Sequence, residues 1–329
     1  MATTGASNPT LADWAKRLDP NGKIDTIVEL LMETNEILMD MTMLEGNLPT
    51  GHRTTIRSGL PTPTWRKLNY GVQPGKSRTV QVDDSAGMLE AYAEIDKALA
   101  MLNGNAPAFR LSEDRAHLES MNQAFVDTLF YGDTDINPER FMGLAPRYNS
   151  LSAENASNII VGGGSGADNT SIWLVIWGPN TCHGFFPKAG KSGLMMEDLG
   201  QETLTDAAGG LYEGFRTHYK WTAGLTLRDW RYVVRIPNID ISDLIIDKST
   251  GANLTDLMVQ ALEIVPAMSM GRAAFYCNRT ISSMLRRQIT NQTNVNLTFE
   301  NVAGNHVLSF DGVPVRRCDA LLNTEALVS

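Results

Sequence analysis

Residues 46–82 contain no Asp or Glu but six bases, Arg53, Arg57, Arg66, Lys67, Lys76 and Arg78. Pro49, Pro61, Pro63 and Pro74, with Gly51, Gly59, Gly71 and Gly75, exclude a long helix across them. Proline lacks the amide donor that a helix needs, and glycine loses the most backbone entropy. Both ends of the stretch alternate as strands do, in Thr54-Thr55-Ile56-Arg57 and Thr79-Val80-Gln81-Val82. An extended hairpin is the simplest fold. A two-stranded ribbon with few apolar side chains is not stable alone, so this one must lie on something else.

What it lies on is constrained by charge. The chain has 329 residues, 28 Lys and Arg against 37 Asp and Glu, and a net charge of −9. With +6 in the ribbon, the remainder carries −15. Two partners fit the ribbon. One is nucleic acid, with Trp65 and Tyr70 stacking among Arg66, Lys67 and Arg78. The other is the acidic remainder of a second copy, and the opposed charges favour it. The bland alternative is a solvated loop.

Composition narrows the class further. At 43% hydrophobic and 20% charged residues the chain can fill a core, and its length suits two compact units. The net negative charge argues against a globally basic nucleic-acid binder. The longest apolar run, 172–177, is too short to span a bilayer, and the N-terminus lacks the basic and apolar regions of a secretory signal. Cys182, Cys277 and Cys318 are odd in number and widely spaced, which fits a reducing compartment and gives neither a disulfide framework nor a zinc site.

Around the ribbon the periodicities predict a loose arm over 1–22 and a helix over about 24–44. Thr26 and Glu29 have capping-box spacing there, and Ile27, Leu30, Leu31, Leu38 and Met41 form the apolar side. Met88, Leu89, Tyr92, Ile95, Leu99 and Leu102 repeat at helical spacing. A long helix follows Ser112 as N-cap, with Glu113 and Asp114 at its positive end. Its apolar stripe is Leu118, Met121, Phe125 and Leu129, and Arg115, Glu119, Gln123 and Asp127 line the opposite face. From about 155 the texture turns to Gly-rich turns and strands, at 172–177, 219–221, 225–227, 232–236 and 273–277. Asn253 caps a helix ended by Pro266, and a short helix is expected over 280–288. A terminal hairpin turns at Asp311-Gly312.

No catalytic constellation emerges. Gly162–Gly166 has no following Lys and reads as a flexible surface loop. Gly184 to Ser192 has five residues, Pro187 among them, where a phosphate loop has four, and Gly193 follows rather than a helix former. Cys182-His183 and the scattered His52, His117, His218 and His306 read as buried thiols and surface imidazoles. Asp83-Asp84 and Glu197-Asp198 read as solvated turn acids, and Met39, Met41 and Met43 as core filler. The chain is read as no enzyme, with no catalytic or metal site and no cofactor.

The order of arm helix, long two-stranded loop, long helix, Gly-rich mixed domain and terminal hairpin resembles the major capsid proteins of tailed bacteriophages with the Hong Kong 97-type fold. Short-tailed-phage subunits are the nearest in texture. The resemblance rests on Arg53-Thr-Thr-Ile-Arg57-Ser-Gly-Leu-Pro61, Thr64-Trp-Arg66-Lys-Leu-Asn69-Tyr-Gly71-Val and Lys76-Ser-Arg78-Thr-Val-Gln-Val. Phe310-Asp-Gly312-Val-Pro314-Val-Arg316 and Asp319 to Glu325 support it.

The resemblance implies an α+β fold with an N-terminal arm (1–45), an E-loop (46–84) and a P-domain (85–149) whose spine helix spans 111–131. An A-domain (150–302) and a return to the P-domain (303–329) follow. It implies hexamers and pentamers closing into an icosahedral virion shell around double-stranded DNA held without sequence preference, assembled in the host bacterial cytoplasm, with no membrane. A separate scaffolding protein, a portal and, as an option, a decoration protein are the implied partners. The E-loop contacts, Arg53, Arg57, Leu60, Trp65, Arg66, Lys67, Leu68, Lys76 and Arg78, would meet Glu113, Asp114 and Glu119 on a neighbour's spine helix. Self-catalysed cross-linking in such families needs Lys, Asn and Glu; Lys67 or Lys76, Asn305 or Asn323, and Glu300 or Glu325 supply the types without matching positions. An encapsulin-like compartment shell is the alternative, and a soluble nucleotide-binding enzyme a more remote one.

Overall fold

The computed structural model describes residues 33–102, 106–206, 208–246, 251–291, 297–302 and 305–329. The expected arm and residues 24–32 of the expected first helix, including Thr26, Ile27, Glu29, Leu30 and Leu31, lie outside the described residues. In chain order the first elements are α1 (Ile37–Asp40), β1 (Met43–Glu45), β2 (Gly51–Gly59), β3 (Arg78–Ser85), β4 (Gly87–Asp96), α2 (Lys97–Met101) and α3 (Ala106–Tyr131). Then come β5 (Asn169–Trp177), β6 (Cys182–Phe186), β7 (Met195–Thr205), β8 (Leu211–Leu227), β9 (Val233–Asp240), α4 (Ile241–Ile246) and α5 (Leu254–Ile264). The chain ends with β10 (Arg272–Cys277), α6 (Arg279–Asn291), β11 (Leu297–Val302), β12 (Asn305–Phe310) and β13 (Val313–Arg317). Contacts divide it into a smaller unit, 88–127 and 193–222 with 33–34, and a larger one, 35–87, 128–192 and 223–329.

In the smaller unit β8 pairs with β7 and with β4. The expected helix over 88–102 is instead mostly strand. Leu89, Ala91, Ala93 and Ile95 alternate inward while Met88, Glu90 and Tyr92 face outward, a period of two that the alanines conceal when only large apolar residues are counted. Outward Glu90 and Glu94 meet cations of β8: Lys220 at 2.9 Å and Arg216 at 2.7 Å. The spine helix begins at Ala106, six residues before its expected cap, so Ser112 lies inside it. Pro107 suits the first turn, where the missing N–H costs no helical hydrogen bond. At 26 residues the helix is about 39 Å long. Phe109 packs with Ile95 and Leu99, Met121 with Ala93 and Tyr219, and Phe125 stacks on Trp221 at 4.0 Å.

The larger unit is organised by β5, which pairs antiparallel with β10 and β9. All nine of its residues are buried, as an aliphatic and aromatic run bounded by turns requires of a central strand. β13 runs parallel to β10 and joins β12 through Asp311-Gly312, both with positive φ as a two-residue hairpin demands. Asn253 caps α5, its side chain accepting from the Asp256 N–H as expected. α5 and α6 bury Leu254, Met258, Ile281 and Leu285 against Leu174, Ile176, Phe275 and Phe310. The first helix does not reach residue 44. α1 is a single turn, Met41 turns extended, and β1 pairs in parallel with β6.

A buried ionic network fastens the C-terminus. Arg235 donates to Glu325 at 2.8 Å and to the Tyr148 carbonyl at 2.8 Å, with its guanidinium over Trp173. Tyr131 and Ser171 also donate to Glu325. Asn238 brackets Val328, accepting its N–H and donating to its carbonyl. By contact, residues 305–329 group with the larger unit, and 193–206 and 208–222 with most of α3, where β7 and β8 pair with each other and β8 with β4.

Candidate functional site

β2 and β3 form the expected ribbon, antiparallel from Gly51↔Ser85 to Arg57↔Thr79, with an irregularity between Arg57 and Gly59. Residues 60–77 form no helix or strand, and everything from 60 to 81 is exposed. The tip bends where the Tyr70 N–H meets the Lys67 carbonyl at 3.2 Å, with Asn69 left-handed at φ 63°. Trp65 is 100% exposed, Leu68 91%, Leu60 80% and Tyr70 73%. Apolar groups clustered this way in solvent mark an interaction surface.

The root, by contrast, is tied down. The Gly46 N–H donates to the Phe186 carbonyl at 2.7 Å and that of Lys188 to the Leu48 carbonyl at 3.1 Å. Asn47 donates to the Arg53 carbonyl and accepts its N–H, both at 2.7 Å. Asp84, read from sequence as a solvated turn acid, is a buried strand residue that accepts from Arg147 at 2.8 Å. The same guanidinium donates to the carbonyls of Gly143, Met142 and Leu225. A side chain on Gly51 would strike the Asp84 carbonyl, so the strands meet there only through glycine.

Two histidines read as surface imidazoles also belong to the root. The rings of His52 and His183 lie edge to face at 5.6 Å, and His52 sits 5.7 Å from Phe185. Burial first, then His52 and Arg228, press the His183 pKa down to about 4. Burial and then Arg228 lower that of His52, against an opposing pull from Asp84. The thiols are buried as expected, and burial pushes Cys182 and Cys277 up to about 12.

The expected contact residues divide into two groups. Arg57, Arg66, Lys67, Lys76 and Arg78 project from the ribbon with no ion pair among the described residues, beside Leu60, Trp65 and Leu68. Arg53 differs, because Asp83 across the hairpin takes its guanidinium at 2.6 Å on two atoms. The acids expected to receive these cations all lie on α3 and differ in burial. Asp114 is buried beside Tyr219, whose phenol is held above its usual range first by burial and then by that carboxylate. Glu119 accepts the Glu33 N–H at 2.9 Å and the Gln123 amide at 3.0 Å. Glu113 is half-buried on the same helix.

Other motifs resolve structurally. Gly162 and Gly164 direct their N–H groups to the Pro237 and Asn238 carbonyls, leaving neither amide to cradle a phosphate. Gly184 lies in β6, and after Gly193 comes a strand rather than a helix. Asp198, expected in a turn, lies in β7 and meets Arg110 at 2.5 Å. Glu325 is committed to Arg235, and Asn323 accepts from Asn278. The side chains of Glu300, Asn305 and His306 lie outside the described residues. Among the described residues no group of His, Cys, Asp or Glu is set to hold a metal ion, and no helix is long and apolar enough to cross a bilayer.

The model of the family described as major capsid protein GP7 matches residues 19–329. The chain belongs to this family. It is similar at 43% identity to a chain of the bacteriophage Epsilon15 structure, with a TM-score of 0.78 over 100% of this chain and 99% of that one. The bacteriophage JBD30 capsid shares the fold, with a TM-score of 0.50 and 7% identity over 89% and 92% of the two chains. The holo-SrpI encapsulin complex of Synechococcus elongatus PCC 7942 aligns at a TM-score of 0.43 and 9% identity, over 66% and 91%, too distant to argue for the compartment alternative. No curated protein matches. The protein is a capsid shell subunit of α+β, Hong Kong 97-type fold, with a structural role in the virion. Sequence reasoning missed the Asp84–Arg147 clamp, since its partners are 63 residues apart. The available signal was that Asp83 and Asp84 are the first acids after the acid-free stretch.

Proposed function

We propose that the subunit assembles as hexamers and pentamers into an icosahedral shell around phage DNA, and that the ribbon fastens each copy to its neighbour. The observation that carries this reading is the ribbon tip on its clamped root. There Leu60, Trp65 and Leu68 stand in solvent with five cations that have no ion pair among the described residues. Exposed ion pairs contribute about 0–1 kcal/mol each, so the cations set register. The apolar tip supplies most of the binding free energy, at roughly 25 cal/mol per Å² buried. Glu113, Asp114 and Glu119 of the neighbour's spine helix are the acids this reading sets against the ribbon, Asp114 being the most deeply buried of the three. The E-loop corresponds to the ribbon, the P-domain to the unit built on α3, and the A-domain to the sheet around β5. A separate scaffolding protein, a portal, assembly in the host cytoplasm and the absence of enzymatic activity belong to the same reading.

The test is imaging of the purified full-length chain, alone and with the scaffolding protein from the same genome. Closed shells are the expected result. Arg57→Glu with Arg66→Glu should reduce their yield at least tenfold while leaving the subunit's melting temperature unchanged. A stable monomer at high concentration in both mixtures, or shells of normal yield from the double variant, would overturn the reading.

A further inference from the structure

Two helices of the larger unit turn opposite charges outward. α5 buries Leu254, Met258 and Ala261 and exposes Asp256 and Glu263. α6 buries Ile281 and Leu285 and exposes Arg279, Arg286 and Arg287. The acids are seven residues apart, as are Arg279 and Arg286, so each pair spans about 10 Å along its axis. Both helices join one core, yet α5 packs on β9 and α6 on β13, strands separated in the sheet by β5 and β10.

The basic end is concave. Arg279, Arg286, Arg287 and Arg317, with Ser282 and Ser283, line a recess of about 340 Å³. Asp319 reaches Arg317 at 2.6 Å and Arg279 at 3.3 Å, and Arg286 and Arg287 stand exposed beside them. On α5, neither Asp256 nor Glu263 has an ion pair among the described residues; Asp256 accepts the Gln260 amide at 2.8 Å. Glu263 stands in the last turn of its helix, where the macrodipole disfavours an acid, and Arg279 opens its helix, where it disfavours a base. Neither charge serves the helix that carries it.

We propose that the arginine recess of α6 receives the acidic stripe of α5 from a second copy, head to tail. The proposal rests on the capsid reading and adds to it a contact that does not involve the ribbon. Because the two surfaces differ, the contact is heterologous, and copies related by a closing rotation form a ring. A phosphate backbone would also suit the arginines, but it leaves the acidic stripe of equal spacing without a partner.

The experiment reverses each side in turn within the full-length chain. Arg286→Glu with Arg287→Glu should lower shell yield at least tenfold in a subunit whose circular dichroism melt matches the parent. Adding Asp256→Lys and Glu263→Lys to the same chain should restore it. Normal yield from the first pair overturns the proposal. So does a loss that the second pair fails to restore, the result expected of a phosphate-bearing ligand. Absence of shells from the unaltered chain strikes the capsid reading instead. Arg287→Lys guards against misfolding, because it keeps the charge and adds an amine that can be cross-linked. In shells of this variant, a zero-length carbodiimide should join the amine at position 287 to Asp256 or Glu263 of another subunit, giving a ladder on denaturing gels. Shells without that cross-linked peptide overturn the proposal.

Discussion

The ribbon tip and the central sheet follow opposite rules. In β5 every residue is buried, and the charges beside it, Arg235 and Glu325, are paired with side-chain exposures of 5% and 4%. Along 60–81 every residue is exposed and the cations face solvent. The first region is completed by its own chain and the second is not. Stability and assembly should therefore be separable by mutation.

The largest effect should come from the tip. Trp65→Ser with Leu68→Ser removes two anchors that stand almost wholly in solvent in the subunit, and a buried interface anchor typically carries about 2–4 kcal/mol. Shell yield should fall by well over tenfold, while calorimetry of the unassembled subunit shows a midpoint shift no larger than that of an ordinary surface substitution. A midpoint that drops as it would for a core residue would put the tip inside the subunit's own fold and erase the contrast.

Glu325→Ala should do the reverse. It strands Arg235 in the interior and leaves the Tyr131 hydroxyl without its acceptor. Breaking one side of a buried pair costs about 3–5 kcal/mol, to be read from a urea titration of the subunit. Loss of shells without loss of subunit stability would be the contrary result.

The root lies between these extremes, and acid probes it. His183 binds a proton near pH 4 when folded and near 6.5 when unfolded, so the unfolded chain holds more protons between those values. Stability is greatest above 6.5 and falls as pH drops towards 4, by roughly 3 kcal/mol in total. His52, lowered in the same direction, adds to the slope. The urea midpoint of His183→Gln should depend less on pH over that window than the parent's; equal slopes would show that the ring is not held neutral.

How much of this is legible in the sequence depends on whether a signal is local. The Asp311-Gly312 hairpin, the Asn253 cap and the buried run of β5 each rest on residues a few positions apart, and each is visible in the sequence. The strand β4 imitates a helix because its inward face is half alanine. The start of α3 is displaced because a serine inside the helix resembles a cap, while Pro107 is the better marker. Asp114 sits on the expected helix but is buried, since Tyr219 reaches it from a strand about a hundred residues away. The ribbon is visible through what it lacks, acids and helix formers. Its clamp is not, because Arg147 approaches Asp84 only in the folded chain.

The smallest effect concerns one cation. Arg53 carries the same charge as Arg57, four residues along the same strand, but Asp83 neutralises it within the hairpin. Both partners of that pair are about half exposed, so water screens it and its loss should leave the unfolding midpoint unchanged. Arg57 faces Thr79 across the ribbon, and its charge is available to a neighbour. Arg53→Ala should assemble like the parent at every ionic strength, whereas Arg57→Ala should assemble less well at low salt and converge with the parent as salt screens the contact. If the two variants behave alike, the Arg53–Asp83 pair opens on assembly, and the ribbon presents six cations to its neighbour rather than five.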